Sequence, residues 1–424
     1  MPSPRRTLTL DQARALIADR AFLRDSDASA PDRQVGIELE WLALDLEEPH
    51  RPIPLDALQR AVDTVGPLPG GSHVTFEPGG QVELSSAPRL VELICPTMAT
   101  DVQRLGNTLA EAGIGLIALG LEPGPQRDRS VRTPRYDAME AFFDVSGAAG
   151  RTMMRSTAST QINVGFGTAD MVEHCWRLTH DLGPVLAAAF ANSPFGVDGP
   201  SGHRCTRLAI WRDIDQGRTA PAHNGNGAAC RSAWADYALA ANVMLVRSSE
   251  DSAQPVLTPF AFSEWLERGH ELGWPDVADL DYHLTTLFPP VRPRGWLELR
   301  MIDALPSPWW RVAVALTAVL VHDEDLADAA AVALAPARDL WTEATRDALQ
   351  HPVLATAARS CFALALDAMP TAGVDDSTIE ATATYIDRYV ARGVTPADER
   401  LDVWARTGVM LPPPENVAPE SVWT

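Results

Sequence analysis

The chain has no CxxC pair, and its five cysteines, Cys95, Cys175, Cys205, Cys230 and Cys361, are odd in number and irregularly spaced. That excludes a zinc ribbon or a CxxC redox pair and leaves reduced thiols in a cytoplasm as the expectation. No apolar run is long enough to span a bilayer: VAVALTAVLV at 312–321 ends in HDEDLAD and reads as a core helix. No secretory signal is legible in MPSPRRTLTLDQARALIADR, which turns from a basic start into an amphipathic helix. Basic side chains are scarce, 35 against 56 acidic, and the net charge of -21 speaks against nonspecific binding to nucleic acid or anionic lipid. The signatures GxxxxGK[ST], GxSxG and HExxH are missing, and no GxGxxG follows a strand, so ATP would not be held by a P-loop or a Rossmann turn. A phosphate-bearing ligand stays open, because a bound cation reverses the sign of a local site.

What is present is an ordinary globular composition, 46% hydrophobic and 21% charged over 424 residues. Alternating segments VGIELEWLAL, HVTFEP, QVELSS, STQINVGFG and RGWLELRMID read as strands. PLDALQRAV, TMATDVQRLGNTLAEAGI and the stretch from about 169 to 191 read as helices, and from Trp309 to the arginines near 400 the chain is almost wholly helical. The region PGPQRDRSVRTPRYDAMEAFFDVSG reads as irregular, PAHNGNGAA as a mobile loop and the terminal LPPPENVAPESVWT as extended. Without a repeat or an interdomain linker, residues 1–424 are expected to form a single catalytic domain. Roughly 305–405 would be a helical part packed on it.

The strands carry acids where a sheet facing a core would not. Glu38 and Glu40 of GIELEW lie two apart and share a face, as do Glu298 and Arg300 of WLELR, and Glu77 and Glu83 flank the turn of FEPGGQVELS. Adjacent carboxylates repel unless something positive lies between them. Without a His or Cys cluster the donors suit a hard ion, magnesium or manganese. Any one of these glutamates reads equally well as solvent-facing; three strands with same-face acids make the set a metal-lined cleft. Gln161 and Asn163 of STQINV alternate onto one face and are candidates for hydrogen bonds to substrate. Tyr282, Trp309 and Trp310 read as packing, and the cysteines as buried thiols.

In order along the chain, GIELEW, FEPGGQVELSS, STQINVGF, ANSPF, RLAIW, YHLTTLFPPVR and WLELR resemble the motifs of glutamate-cysteine ligase of the plant and proteobacterial type, over about 35 to 322. Among bacterial members the chain is most similar to the actinobacterial branch that serves ergothioneine biosynthesis. The resemblance implies an α+β fold like the catalytic domain of glutamine synthetase, a curved antiparallel sheet forming a funnel with helices outside. ATP and the amino acids would enter from opposite sides, and two or three magnesium ions would sit on the floor. In that family the γ-carboxylate of glutamate attacks the γ-phosphate of ATP, and the amine of cysteine then displaces phosphate from γ-glutamyl phosphate.

The resemblance puts Glu38, Glu40, Glu77, Glu83 and Glu298 on metal-binding positions and Arg300 where a guanidinium steadies the transferring phosphoryl group. Arg207 and Trp211 of RLAIW fall on the amino acid pocket. His283 of YHLTT is a candidate for contact with nucleotide or for ordering the strand approach, and reads equally well as a structural histidine. The cysteines of the plant regulatory disulfide have no counterpart, and no short motif marks the pocket for the acceptor thiol. Alternatives are a γ-glutamyl ligase using another amine, a metal-dependent phosphohydrolase, and a nonenzymatic nucleotide or amino acid sensor. No nucleic acid, membrane or protein partner is expected.

Overall fold

A computed structural model describes residues 8–22, 32–49, 51–223, 229–249, 252–271 and 273–417. The middle of the expected mobile loop PAHNGNGAA and the last residues of the expected extended tail lie outside the described residues.

The strands are β1 (Val35–Asp45), β2 (His73–Phe76), β3 (Val82–Ser85), β4 (Ile114–Ile117), β5 (Ser159–Val164), β6 (Leu245–Ser249), β7 (Ser252–Pro255), β8 (Val291–Pro293) and β9 (Leu297–Asp303). Seven form one antiparallel sheet in the order β2-β3-β1-β5-β9-β8, and β6 and β7 make a separate hairpin. β1 is long enough to serve three partners: its first half pairs with β3 and β5, and Leu42–Asp45 pair with β4. The antiparallel sheet with surrounding helices is the architecture expected from the sequence.

Register decides what the faces carry. Glu40 lies opposite Glu83, Glu38 opposite Gln161, and Asn163 opposite Glu298, so the polar side chains of four strands collect on one face. The intervening residues, Ile37, Leu39, Leu84, Ile162 and Leu299, are buried on the other face. Against the sheet pack the helices Val91–Glu111, Val172–Ala189 and Trp309–His322. A shift in register between Thr160 and Ile162 bulges β9, where Arg300 and Met301 oppose the single Gln161 of β5, and bulges re-aim side chains in this way. A single apolar cluster runs from Leu8 to Ala397 and includes the C-terminal helices. No described helix is long and apolar enough to cross a membrane.

One segment differs from the expectation. The region read as irregular contains the helix Pro134–Asp144, and a further helix, Ala149–Ser156, follows it. Thr133 caps the first by accepting from the Tyr136 amide, with Pro134 in the first turn, so a cap and a helix-initiating proline stood where only turn residues were read. The first residues of YHLTT close a helix, Val277–Leu284, opened by a reciprocal Asp276–Asp279 capping box.

Candidate active site

One wall of a cavity of about 240 Å³ is acidic, formed by Glu38, Glu40, Glu77 and Glu83. Glu40 is fully engaged: Ser159 donates its amide (2.8 Å) and hydroxyl (2.9 Å), and Gln161 its Nε2 (2.8 Å). Glu38 Oε1 accepts from Asn163 Nδ2 at 3.0 Å, and Glu83 Oε1 accepts from the hydroxyls of Thr75 and Ser85. Glu77 sits on the Pro-Gly-Gly turn. The turn needs both glycines: a Cβ on Gly79 would fall 2.0 Å from the Arg155 carbonyl oxygen, and Gly80 has φ +85. Burial, then Glu40 and Glu83, push the Glu77 carboxyl up to about 8. Burial also raises Glu38, Glu40 and Glu83, with neighbouring carboxylates adding to the rise at Glu38 and Glu83.

The lining toward β9 and β8 is basic. Arg292 grips Glu298 with two bonds (Nε–Oε2 2.5 Å, Nη2–Oε1 3.0 Å), Arg300 approaches at 3.2 Å and Arg294 at 3.5 Å. Burial by itself would raise Glu298, but Arg292 and Arg300 hold its carboxyl down at about 2. Arg300 also donates to Gln161 Oε1 at 2.6 Å. Arg207 is pinned by Asp303 (Nε–Oδ1 2.8 Å) and the Arg300 carbonyl (3.0 Å). The guanidiniums of Arg207 and Arg300 lie 5.8 and 5.6 Å from the Trp211 ring, whose Nε1 donates to the Phe288 carbonyl. All 35 basic residues of the chain are arginine, so every fixed cation here is a planar fork suited to carboxylate or phosphate.

Nine residues singled out from the sequence therefore line one cavity: Glu38, Glu40, Glu77, Glu83, Gln161, Arg207, Trp211, Glu298 and Arg300. Asn163 stands behind them, joining Glu38 to the Trp296 indole. His283 is not brought to the cavity. It is buried on its helix with Nε2 at 2.9 Å from the Ala238 carbonyl and its ring stacked on Phe262, so contact with a nucleotide in this cavity is ruled out by position. Sequence reading missed Arg292, Arg294, Arg135, Tyr136 and Ser159. Arg292 and Arg294 flank Pro293 in the motif PPVRPRGW, and the β8–β9 hairpin sets Arg292 opposite Glu298.

Among the described residues no three His, Cys, Asp or Glu side chains stand close enough to hold an ion without moving. The donor set nevertheless fits a hard divalent cation: it is all oxygen and crowded, and the mutual repulsion that helps raise Glu38, Glu77 and Glu83 is what a cation would relieve. Glu298 fits less well, since metal ligation would require Arg292 to release it. The five thiols are buried and unbridged, and burial pushes Cys95, Cys175, Cys230 and Cys361 up to about 12 and raises Cys205 well above its ordinary value, so none is a nucleophile at neutral pH.

An acidic cluster beside a guanidinium cluster in one cavity is equipment for bringing anionic reactants together, which is the task of an enzyme coupling a carboxylate to a nucleotide phosphate. Residues 34–417 match the family model described as Glutamate-cysteine ligase family 2 (GCS2), and the chain belongs to that family. It is 39% identical over 384 residues to glutamate-cysteine ligase EgtA of Mycolicibacterium smegmatis, covering 89% of each protein. It is 30% identical to the chloroplastic glutamate-cysteine ligase of Arabidopsis thaliana, over 80% of this chain and 67% of that protein. A solved structure of glutamate-cysteine ligase from Francisella tularensis in complex with AMP aligns with a TM-score of 0.48 at 11% identity, over 89% of this chain and 85% of that one. The chain is thus an ATP-dependent ligase whose family uses ATP with a divalent cation to join glutamate and cysteine.

Proposed function

We propose that the cavity makes γ-glutamylcysteine from glutamate, cysteine and ATP through γ-glutamyl phosphate, and that the product enters ergothioneine biosynthesis, as in the EgtA relatives. The observation that carries this reading is the gathering of Glu38, Glu40, Glu77 and Glu83 with Arg207, Arg292 and Arg300 in the lining of one cavity.

Glu38, Glu77 and Glu83, with Glu40 holding the strands in register, form the seat for two or three magnesium ions, which supply charge neutralisation to the polyphosphate. Arg207, fixed by Asp303, grips the α-carboxylate of glutamate, and Trp211 walls the pocket. Gln161 holds Arg300 over the same floor, where its guanidinium meets charge building on the transferred phosphoryl group. Asn163 sets Glu38. Glu298 holds Arg292 and Arg300 in place, its clearest role given three arginine neighbours. The γ-carboxylate oxygen bonds to phosphorus as ADP leaves. The cysteine amine then bonds to the acyl carbon as phosphate leaves. The sheet and the C-terminal helices act as one unit, in the cytoplasm, consistent with a continuous core and unbridged thiols.

The test is phosphate release from ATP and magnesium with glutamate, with and without cysteine, followed by mass spectrometry. γ-Glutamylcysteine formed only with all components present is the expected result. Phosphate release indifferent to both amino acids would overturn the reading in favour of a hydrolase.

A further inference from the structure

A cavity of about 340 Å³ shares no lining residue with the active-site cavity. It lies between the helix Val91–Glu111, the start of the helix Trp309–His322 and the C-terminal residues Glu415 and Asn416. Those two residues are clasped to β4. The Glu415 amide donates to the Leu116 carbonyl at 2.8 Å, Asn416 Oδ1 accepts from the Leu116 amide at 2.9 Å, and Asn416 Nδ2 donates to the carbonyls of Ile114 (2.9 Å) and Gly106 (3.0 Å). The Glu415 carboxylate reaches further, to β1: its Oε1 accepts from the indole of Trp41, the residue after Glu40, and its Oε2 from the Ser307 amide at 3.0 Å.

The cavity is lined by two charges that do not meet. Among the described residues Glu415 has no cation partner, and burial pushes its carboxyl up to about 7 with only the Ser307 amide and the Trp41 indole pulling the other way. Arg311 has no carboxylate partner among them either. Its Nη1 donates to the Ser377 hydroxyl at 3.1 Å, and its buried Nε bonds to nothing. Asp375 acts on Arg311 from behind Ser377, without contact. Nε and Nη2 form the edge with which Arg292 takes Glu298 two-fold, and at Arg311 that edge is unspent.

We propose that this cavity binds a small free α-amino acid, its α-carboxylate on the Nε–Nη2 edge of Arg311 and its α-ammonium at Glu415, with the side chain toward Val102 and Leu116. A lone anion would face Glu415 and a lone cation would face Arg311. A zwitterion answers both charges and adds none of its own to the cavity. An ammonium beside Glu415 favours the ionised carboxylate, the form that accepts from both Trp41 and Ser307. Occupation therefore tightens the C-terminal residues onto β1 and β4. Binding here does not depend on the chemistry proposed for the first cavity.

Calorimetry on the full chain with L-alanine, with propionate, which lacks the ammonium, and with alaninamide, which lacks the carboxylate, tests the site. Alanine is expected to bind one to one, and each analogue about tenfold or more weakly, the scale of losing one charge-assisted hydrogen bond. Glu415→Gln and Arg311→Gln should each abolish binding. Asn107→Trp, made at an exposed position on the rim, should do the same by filling the cavity while melting remains cooperative. Saturating alanine should slow hydrogen exchange at the Glu415 amide in the parent chain and leave it unchanged in Asn107→Trp. No binding, an analogue binding as well as alanine, or binding that survives Asn107→Trp would overturn the site. Binding that survives Asn107→Trp and is lost in Arg207→Lys would place alanine in the active-site cavity instead. Binding seen only after residues 418–424 are deleted would make the chain's own terminus the occupant and would also overturn the proposal. Binding with unchanged exchange at Glu415 would overturn the tightening of the C-terminal residues.

Discussion

The two walls of the active-site cavity are built on opposite electrostatic plans. On the acidic wall Glu77 is pushed up to about 8, and Glu38, Glu40 and Glu83 move in the same direction, because buried carboxylates face one another. On the basic side Glu298, the most deeply buried of these carboxylates, is held at about 2 by its arginines. The difference lies in the neighbours, since burial acts on both. The basic wall is complete in itself and arrives preorganised, whereas the acidic wall reaches balance only when positive charge is brought to it.

The largest test of that contrast is Glu298→Gln. It strands Arg292 in a buried site and is expected to cost about 3–5 kcal/mol in denaturant-induced unfolding. Glu77→Gln on the opposite wall should leave stability unchanged or raise it, because a repelled carboxylate is removed. Equal destabilisation by the two would break the comparison.

Next in size is the effect on turnover. Glu38→Gln should lower kcat by about 10²–10³-fold, the scale for losing one group that stabilises transition-state charge, with the melting temperature unchanged. Retained turnover would take Glu38 out of the cation seat. Arg207→Lys keeps the charge and loses the fork, so the KM for glutamate should rise about tenfold or more with a smaller change in kcat. A KM for ATP that rises instead would move Arg207 to the nucleotide side.

The smallest effect is in pH. The native Glu77 carboxyl keeps a proton that the unfolded chain releases in the ordinary carboxylate range, so its contribution to stability is lost as pH rises from that range to about 8. Glu298 has the opposite sign: its contribution is present above the carboxylate range and lost as pH falls toward 2. In the presence of a chelator, the melting temperature of Glu77→Gln should therefore gain on that of the parent between about pH 5 and 8. Magnesium should shrink that gain by stabilising the ionised carboxylates of the parent. A constant difference across the range would mean that Glu77 is ionised throughout.

The acidic wall was far more legible in the sequence than the basic one. Glu38 with Glu40, and Glu298 with Arg300, are two apart on strands, and period-two alternation alone puts each pair on one face. Arg292 was missed because its partner, Glu298, lies across a hairpin whose register no short motif states. Arg135 and Tyr136 were missed because a capped helix was read as loop, although Thr133-Pro134 carried the signal. His283 was misplaced for the converse reason: it was assigned by motif neighbourhood, and its helix turns the ring toward Ala238 and Phe262.

The sequence by itself determined the strands, their polar faces and the chemistry those faces carry, because alternation and side-chain type are local properties of the chain. Only the tertiary structure decided which carboxylate is neutralised and which is left crowded. That depends on strand order, on a bulge of β9 opposite Gln161 and on the hairpin register that sets Arg292 beside Glu298, and charge interactions follow distance in space and burial rather than the spacing a motif shows.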